Sequence, residues 1–161
     1  MELLVVISII ALLMAILLPS LGQARQLARC TTELSASRQL MQAYVLYTTD
    51  NDGMLIPGHT DYTVSLNDDL GHPLNPPEAS KRWPWRLAAS TGVSMKGCIL
   101  VGERAQTLLS NRSIPMWSYM VSLTPSFGLN YFDLGGDLTN HGANNAPEWA
   151  RKITDVSRPA W

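Results

Sequence analysis

The sequence predicts an α+β fold, in which a long N-terminal α-helix packs on a small antiparallel β-sheet with long loops. Three observations lead to this prediction. An apolar run fills residues 3–18, apolar residues at helical spacing follow it to about residue 48, and short runs with strand-like alternation lie in the second half of the chain. Of the 161 residues, about 113 remain for one small domain after the helix.

The apolar run is long enough to require burial in lipid or in protein. Fifteen of the sixteen residues from Leu3 to Leu18 are apolar, and only Ser8 interrupts them. A helix that crosses a bilayer needs roughly 17 to 25 apolar residues, so the run lies at the short end of this range. A secretory signal peptide is the alternative, but it would carry basic residues before the run. This sequence has only Met1 and Glu2 there.

Beyond the run, the apolar residues thin to one stripe that continues the helix. Its members recur at steps of three, four or seven residues, which is helical spacing. They are Leu21, Ala24, Ala28, Leu34, Met41, Tyr44 or Val45, and Thr48. Because no Gly or Pro follows Gln23 before Asn51, one helix can continue to about Thr48.

This pattern divides the chain into three parts. Residues 1–21 form the hydrophobic half of the helix, which serves membrane insertion or assembly, and residues 22–48 form its amphipathic half. Residues 49–161 form a soluble domain. Pro19 lies where the hydrophobic half ends, and its ring and missing N–H predict a helix kink there.

The soluble domain begins with an acidic region rich in Pro and Gly, up to about residue 80, which we expect to be a long solvated connection. Four later segments predict secondary structure. They are RWPWRLAAS (82–90), an amphipathic segment whose Trp83, Trp85 and Leu87 can pack on the long helix; GCILVGE (97–103), a buried strand; ERAQTLLSN (103–111), one or two helical turns; and residues 117–136, with strand-like alternation at Trp117, Tyr119 and Val121.

Neither the charge nor the polar residues indicate an enzyme or a nucleic-acid-binding protein. The formal net charge is -1, and no basic cluster is interleaved with aromatic residues. His59, His72 and His141 stand singly beside glycines, without the spacing of a helical metal site. The sequence contains neither a nucleophile elbow nor a glycine-rich phosphate loop. We therefore expect no catalytic residues.

The turn after the helix places Asp50 and Asp52 on either side of Asn51, followed by Gly53. These oxygen-bearing side chains are one candidate calcium site, although the later ligands of an EF-hand loop do not follow. The alternative is a simple helix stop, because Asx residues before Gly end helices without any ion. We expect the helix stop and no cofactor.

The string ELLVVISIIALLMAILLPSLGQAR, from Glu2 to Arg25, closely resembles the N-terminal segment of type IV pilins and type II secretion pseudopilins. Residues 28–57 resemble, more weakly, the large pilin-like families of planctomycetes and related bacteria. The resemblance implies a single-pass protein of the bacterial inner membrane, with its C-terminal domain in the periplasm or on the cell surface. It also implies a pilin-like sheet behind the helix.

In these families a basic leader, a Gly and the residues F-T-L-I precede the glutamate, and further strands follow. Compared with that pattern, we expect the sequence to be truncated at both ends. The resemblance implies processing of the full precursor by a prepilin peptidase, with N-terminal methylation. Glu2 would then meet the N-terminal amine of a neighbouring subunit in the fibre. The alternative is that Glu2 lies among lipid headgroups, where its negative charge at the helix N-terminus interacts favourably with the helix dipole.

The two cysteines have two interpretations. Cys30 lies on the helix and matches a cysteine common in the resembling families, and Cys98 lies in the predicted strand. In an oxidising compartment the pair would bridge helix and sheet. The alternative is two separate thiols.

Three classes of function remain. The first is a pilin-like subunit that assembles with its own copies and other pilins into a pilus or pseudopilus; secretion, adhesion and motility stay open within this class. The second is a monomeric, membrane-anchored binding module. The third is a secreted protein that loses the apolar run as a signal peptide.

Overall fold

The structure, a computed structural model, describes residues 2–129 and residue 152. Its elements are helix α1 (Glu2–Asp50), a short 3₁₀ helix η1 (Pro77–Lys81), α2 (Trp83–Thr91), α3 (Gly102–Ser110) and α4 (Trp117–Leu123). The chain forms two compact units, Met1–Ser35 and Ala36–Trp161. The first unit lies within α1, and the second contains the end of α1 and the other helices.

Helix α1 confirms the predicted long helix and ends two residues beyond the expected position, at Asp50. Its end is fixed by the turn that follows. The Gly53 N–H donates to the Thr48 carbonyl at 2.7 Å, and Asp52 has a left-handed φ of 52°. This is the 6→1 hydrogen bond of a Schellman motif, which satisfies a carbonyl that the helix leaves unpaired. Asn51 adds a side-chain hydrogen bond to the Tyr47 carbonyl at 2.8 Å.

The core of the second unit is organised by two tryptophans. The rings of Trp85 and Trp117 meet edge to face, with centroids 5.9 Å apart. The Trp85 Nε1–H donates to the Ser118 carbonyl at 2.8 Å, and the Trp117 Nε1–H donates to the Leu108 carbonyl at 2.7 Å. Two buried indoles thus tie α2 to α4 and α4 to α3 without leaving a polar atom unpaired.

Helix α2 buries the three residues that the sequence analysis selected. Trp83, Trp85 and Leu87 are all buried and belong to one core cluster with Ala43 of α1. The cluster also contains Ile56, Leu74, Ala79, Met95, Ile99, Leu100, Ala105, Trp117 and Val121. The helix ends at Gly92, whose left-handed φ of 70° suits the αL position of a helix cap.

The face of α1 that packs in the second unit agrees only in part with the predicted stripe. The buried or partly buried residues are Ala36, Leu40, Ala43, Tyr44, Tyr47 and Thr48. Leu34 and Met41 were expected on this face, but they are 52% and 65% exposed. Of the two alternatives Tyr44 and Val45, Tyr44 is the partly buried one, and Val45 is 48% exposed. Tyr44 and Thr48 of the predicted stripe therefore lie on the buried face, whereas Leu34 and Met41 do not. The other residues of this face, Ala36, Leu40, Ala43 and Tyr47, were not predicted.

The predicted antiparallel sheet, and with it the α+β class, is wrong for the residues that the structure describes. They contain isolated β-bridges but no β-strand. The segment expected to alternate as a strand is helix α4. Trp117 and Val121 are four residues apart and are buried together with their neighbours Ser118 and Ser122. A spacing of four residues places Trp117 and Val121 on one face of a helix. The same spacing is two periods of a strand, so the short segment fits both patterns.

The apolar segment GCILVGE does not form the expected strand either. Gly97 and Gly102 have left-handed φ values of 86° and 84°, which glycine adopts without the Cβ clash of other residues. Between them, the Leu100 N–H returns to the Met95 carbonyl at 2.8 Å. The buried residues Ile99 and Leu100 thus lie in a tight turn. Helix α3 begins directly afterwards and confirms the helical turns predicted for residues 103–111.

The connecting region after α1 is less solvated than its composition suggested. Residues 54–76 contain no helix or strand, but Ile56 and Thr60 are 0% exposed. The Thr60 N–H donates to the Lys81 carbonyl at 2.9 Å, and the Trp83 N–H donates to the Gly58 carbonyl at 3.2 Å. Backbone hydrogen bonds thus hold this region against η1 and the start of α2.

The helical assignment of α4 predicts unequal effects for two truncations. Val121 is 0% exposed and Leu123 is 45% exposed, whereas a strand would place both on one face. Val121→Ala should lower the free energy of unfolding by about 2 to 3 kcal/mol, from lost burial and the cavity left behind. Leu123→Ala should lower it by less than about 0.5 kcal/mol. Denaturant unfolding of the full chain in detergent measures both, and equal losses would contradict the helix.

Candidate functional site: the apolar surface of helix α1

The apolar surface, defined as the side chains of residues 3–18, is uncovered in the structure. Every side chain from residue 3 to residue 35 is exposed, and the thirteen large apolar side chains of the apolar surface are between 48% and 79% exposed. Such an exposed surface marks contact with a membrane or with another protein. By length and composition, α1 is able to cross a membrane, although a signal sequence would have the same properties.

The polar side chains in and beside the apolar surface are satisfied within the helix. The Ser8 hydroxyl donates to the Leu4 carbonyl at 2.7 Å, and the Ser20 hydroxyl donates to the Leu17 carbonyl at 2.8 Å. A hydroxyl moved into lipid without a partner would cost several kcal/mol. These two bonds remove most of that cost, so neither serine prevents burial of the segment in an apolar environment.

The uncharged stretch of α1 matches a bilayer in length. No charged residue occurs from Leu3 to Ala24, and Arg25 is the first basic residue. At 1.5 Å per residue this stretch is about 33 Å long, close to the roughly 30 Å of hydrocarbon in a typical bilayer. Arg25 and Arg29 would then lie at the polar boundary.

The predicted assembly residue Glu2 and the predicted kink residue Pro19 both belong to helix α1. Helix α1 begins at Glu2, and Pro19 lies inside it. The Glu2 side chain lies outside the described part, so its pairing with a neighbouring subunit stays a prediction, as does the kink at Pro19.

The candidate calcium residues fall on the helix stop, with Asp50 as the last residue of α1. Among the described residues, no group of three or more His, Cys, Asp or Glu side chains converges as metal ligands would.

The two cysteines occupy different environments. Cys30 is exposed, Cys98 is buried, and both are free thiols in the structure. The Cys98 thiol donates to Gln39 Oε1 at 3.1 Å, so it connects the turn after Gly97 to α1. The disulfide between Cys30 and Cys98 stays a prediction. Of the histidines, His59 is half-buried and His72 is exposed, and His141 lies outside the described residues.

Three arginines of the second unit stack on aromatic rings, which the sequence analysis did not anticipate. The guanidinium carbon lies 5.4 Å from the ring centre of Tyr119 for Arg82 and 5.1 Å from that of Tyr62 for Arg86. Arg112 lies 4.8 Å from the ring centre of Trp117. Such cation–π contacts stabilise the fold modestly at partly exposed positions. The pairs of Arg82 with Tyr119 and of Arg86 with Tyr62 join segments that are distant along the chain, so no local sequence pattern identifies them.

Arg112 also forms a two-pronged ion pair with Asp69. Its Nη1 donates to Asp69 Oδ1 at 2.7 Å and its Nη2 to Asp69 Oδ2 at 2.6 Å. These hydrogen bonds hold the pKa of the Asp69 carboxyl below its usual value, and the same bonds raise the pKa of Arg112. The pair fastens the connecting region to the segment between α3 and α4.

A scan against protein-family models finds no match to the chain, and searches of curated proteins and of solved structures find none either.

The lowered pKa of Asp69 predicts a pH-dependent contribution to stability. The pair stabilises the fold above the unfolded-state pKa of about 4 and loses this effect as the pH falls through the lower folded-state pKa. Both side chains are partly exposed, so Asp69→Asn should cost only about 0.5 to 1 kcal/mol at pH 7. The difference from the wild type should shrink as the pH falls below about 4 and the Asp69 carboxyl becomes protonated.

Urea unfolding of the full chain in detergent at several pH values measures this contribution. Asp61→Asn serves as a control, because Asp61 is an exposed aspartate outside the pair. A loss for Asp69→Asn that stayed constant down to pH 2 would contradict an electrostatic origin.

Proposed function

We propose that this chain is a pilin-like structural subunit. Helix α1 anchors it in the bacterial inner membrane as a single span, and the second unit lies in the periplasm or on the cell surface. Through the same helix it assembles, with its own copies and with other pilins, into a pilus or a type II secretion pseudopilus. A prepilin peptidase processes its precursor. The observation that carries the proposal is the apolar surface of α1, which the described chain leaves without cover.

Burial energy supports both parts of this role. Burying one Leu or Ile side chain contributes about 1.5 to 3 kcal/mol, so thirteen large apolar side chains strongly favour leaving water. In a monomer, lipid covers these side chains. When a subunit moves from the membrane into a fibre, they leave the lipid and need an equally apolar environment. The same segment of other copies supplies such an environment.

The charges of α1 support a membrane span but not its orientation, because basic residues beside a span favour the cytoplasmic side, and Arg25 and Arg29 alone would keep the second unit there. The uncharged stretch ends at Arg25, and the next basic residue, Arg29, follows one helical turn later. Polar and apolar parts of α1 are therefore separated along its length. Glu2 is the exception at the other end. An acid at the edge of lipid is costly unless it is paired or lies at an interface, and pairing with the amine of a neighbouring subunit provides such a partner.

Two other functions make different demands on α1. A monomeric membrane-anchored binding module needs the apolar surface only for insertion and has no use for Glu2. A secreted protein needs it only until a signal peptidase has removed it. Assembly alone requires the apolar surface and Glu2 together in the mature protein.

Membrane insertion predicts a strong effect of charge within the apolar surface. Leu12→Lys should cost about 2.5 to 3.5 kcal/mol of insertion free energy and shift the protein out of the membrane fraction. Ser37→Lys is the matched control, because Ser37 is an exposed residue of the same helix beyond Arg25. Fractionation of cells and extraction with alkaline carbonate measure the distribution. If Leu12→Lys stayed in the membrane like Ser37→Lys, the membrane role of residues 3–18 would be wrong.

Assembly predicts a separate effect of Glu2. Glu2→Ala should reduce the number of fibres sheared from the native cells while the amount of protein in the membrane stays the same, because the pairing exists only between subunits. Glu33→Ala removes an exposed carboxylate elsewhere on α1 and should leave fibre formation intact. Normal fibre numbers with Glu2→Ala would refute the pairing.

A further inference from the structure

We draw no further inference here: the strongest candidate, the exposed apolar face that Met116, Met120 and Leu123 form along α4, carries nothing, because nothing in the described part of the chain shows what covers it.

Discussion

The uncovered apolar surface of α1 is the feature that most constrains the environment in which this protein is stable. Thirteen large apolar side chains between residues 3 and 18 are mostly exposed, and the described chain brings nothing against them. Water is an unfavourable environment for such a surface, so lipid or other protein chains have to cover it. The internal hydrogen bonds of Ser8 and Ser20 and the absence of charged residues from Leu3 to Ala24 make the segment compatible with that environment.

The second unit forms a buried core of its own. Its indoles donate to backbone carbonyls, and arginines cover some of its aromatic rings, so a small helical domain forms without a sheet in the described region. The two units therefore separate two tasks along one chain. The first leaves its apolar side chains for partners outside, while the second forms a core of its own around Trp85 and Trp117.

The sequence predicted those features that long patterns or local turn chemistry determine. The apolar and helical pattern of α1 extends over most of its 49 residues, and the Asn-Asp-Gly turn ends the helix by local hydrogen bonds. Helix α4 has only seven residues, too few for periodicity to separate helix from strand, so the α+β prediction failed there. The buried face of α1 was predicted only in part, because the small Ala36 and Ala43 lie on it while the larger Leu34 and Met41 are exposed. The Asp69–Arg112 pair joins residues 43 positions apart, which no local pattern reveals.

The central claim is that the apolar surface of α1 belongs to the mature protein and is covered by lipid and by neighbouring copies. N-terminal sequencing of the protein isolated from native membranes tests this most directly, because the competing interpretations differ in which residues remain. The account predicts a mature chain that still contains residues 3–18 and is recovered in the membrane fraction. A mature N-terminus near residue 25, with the protein in soluble or secreted fractions, would contradict it.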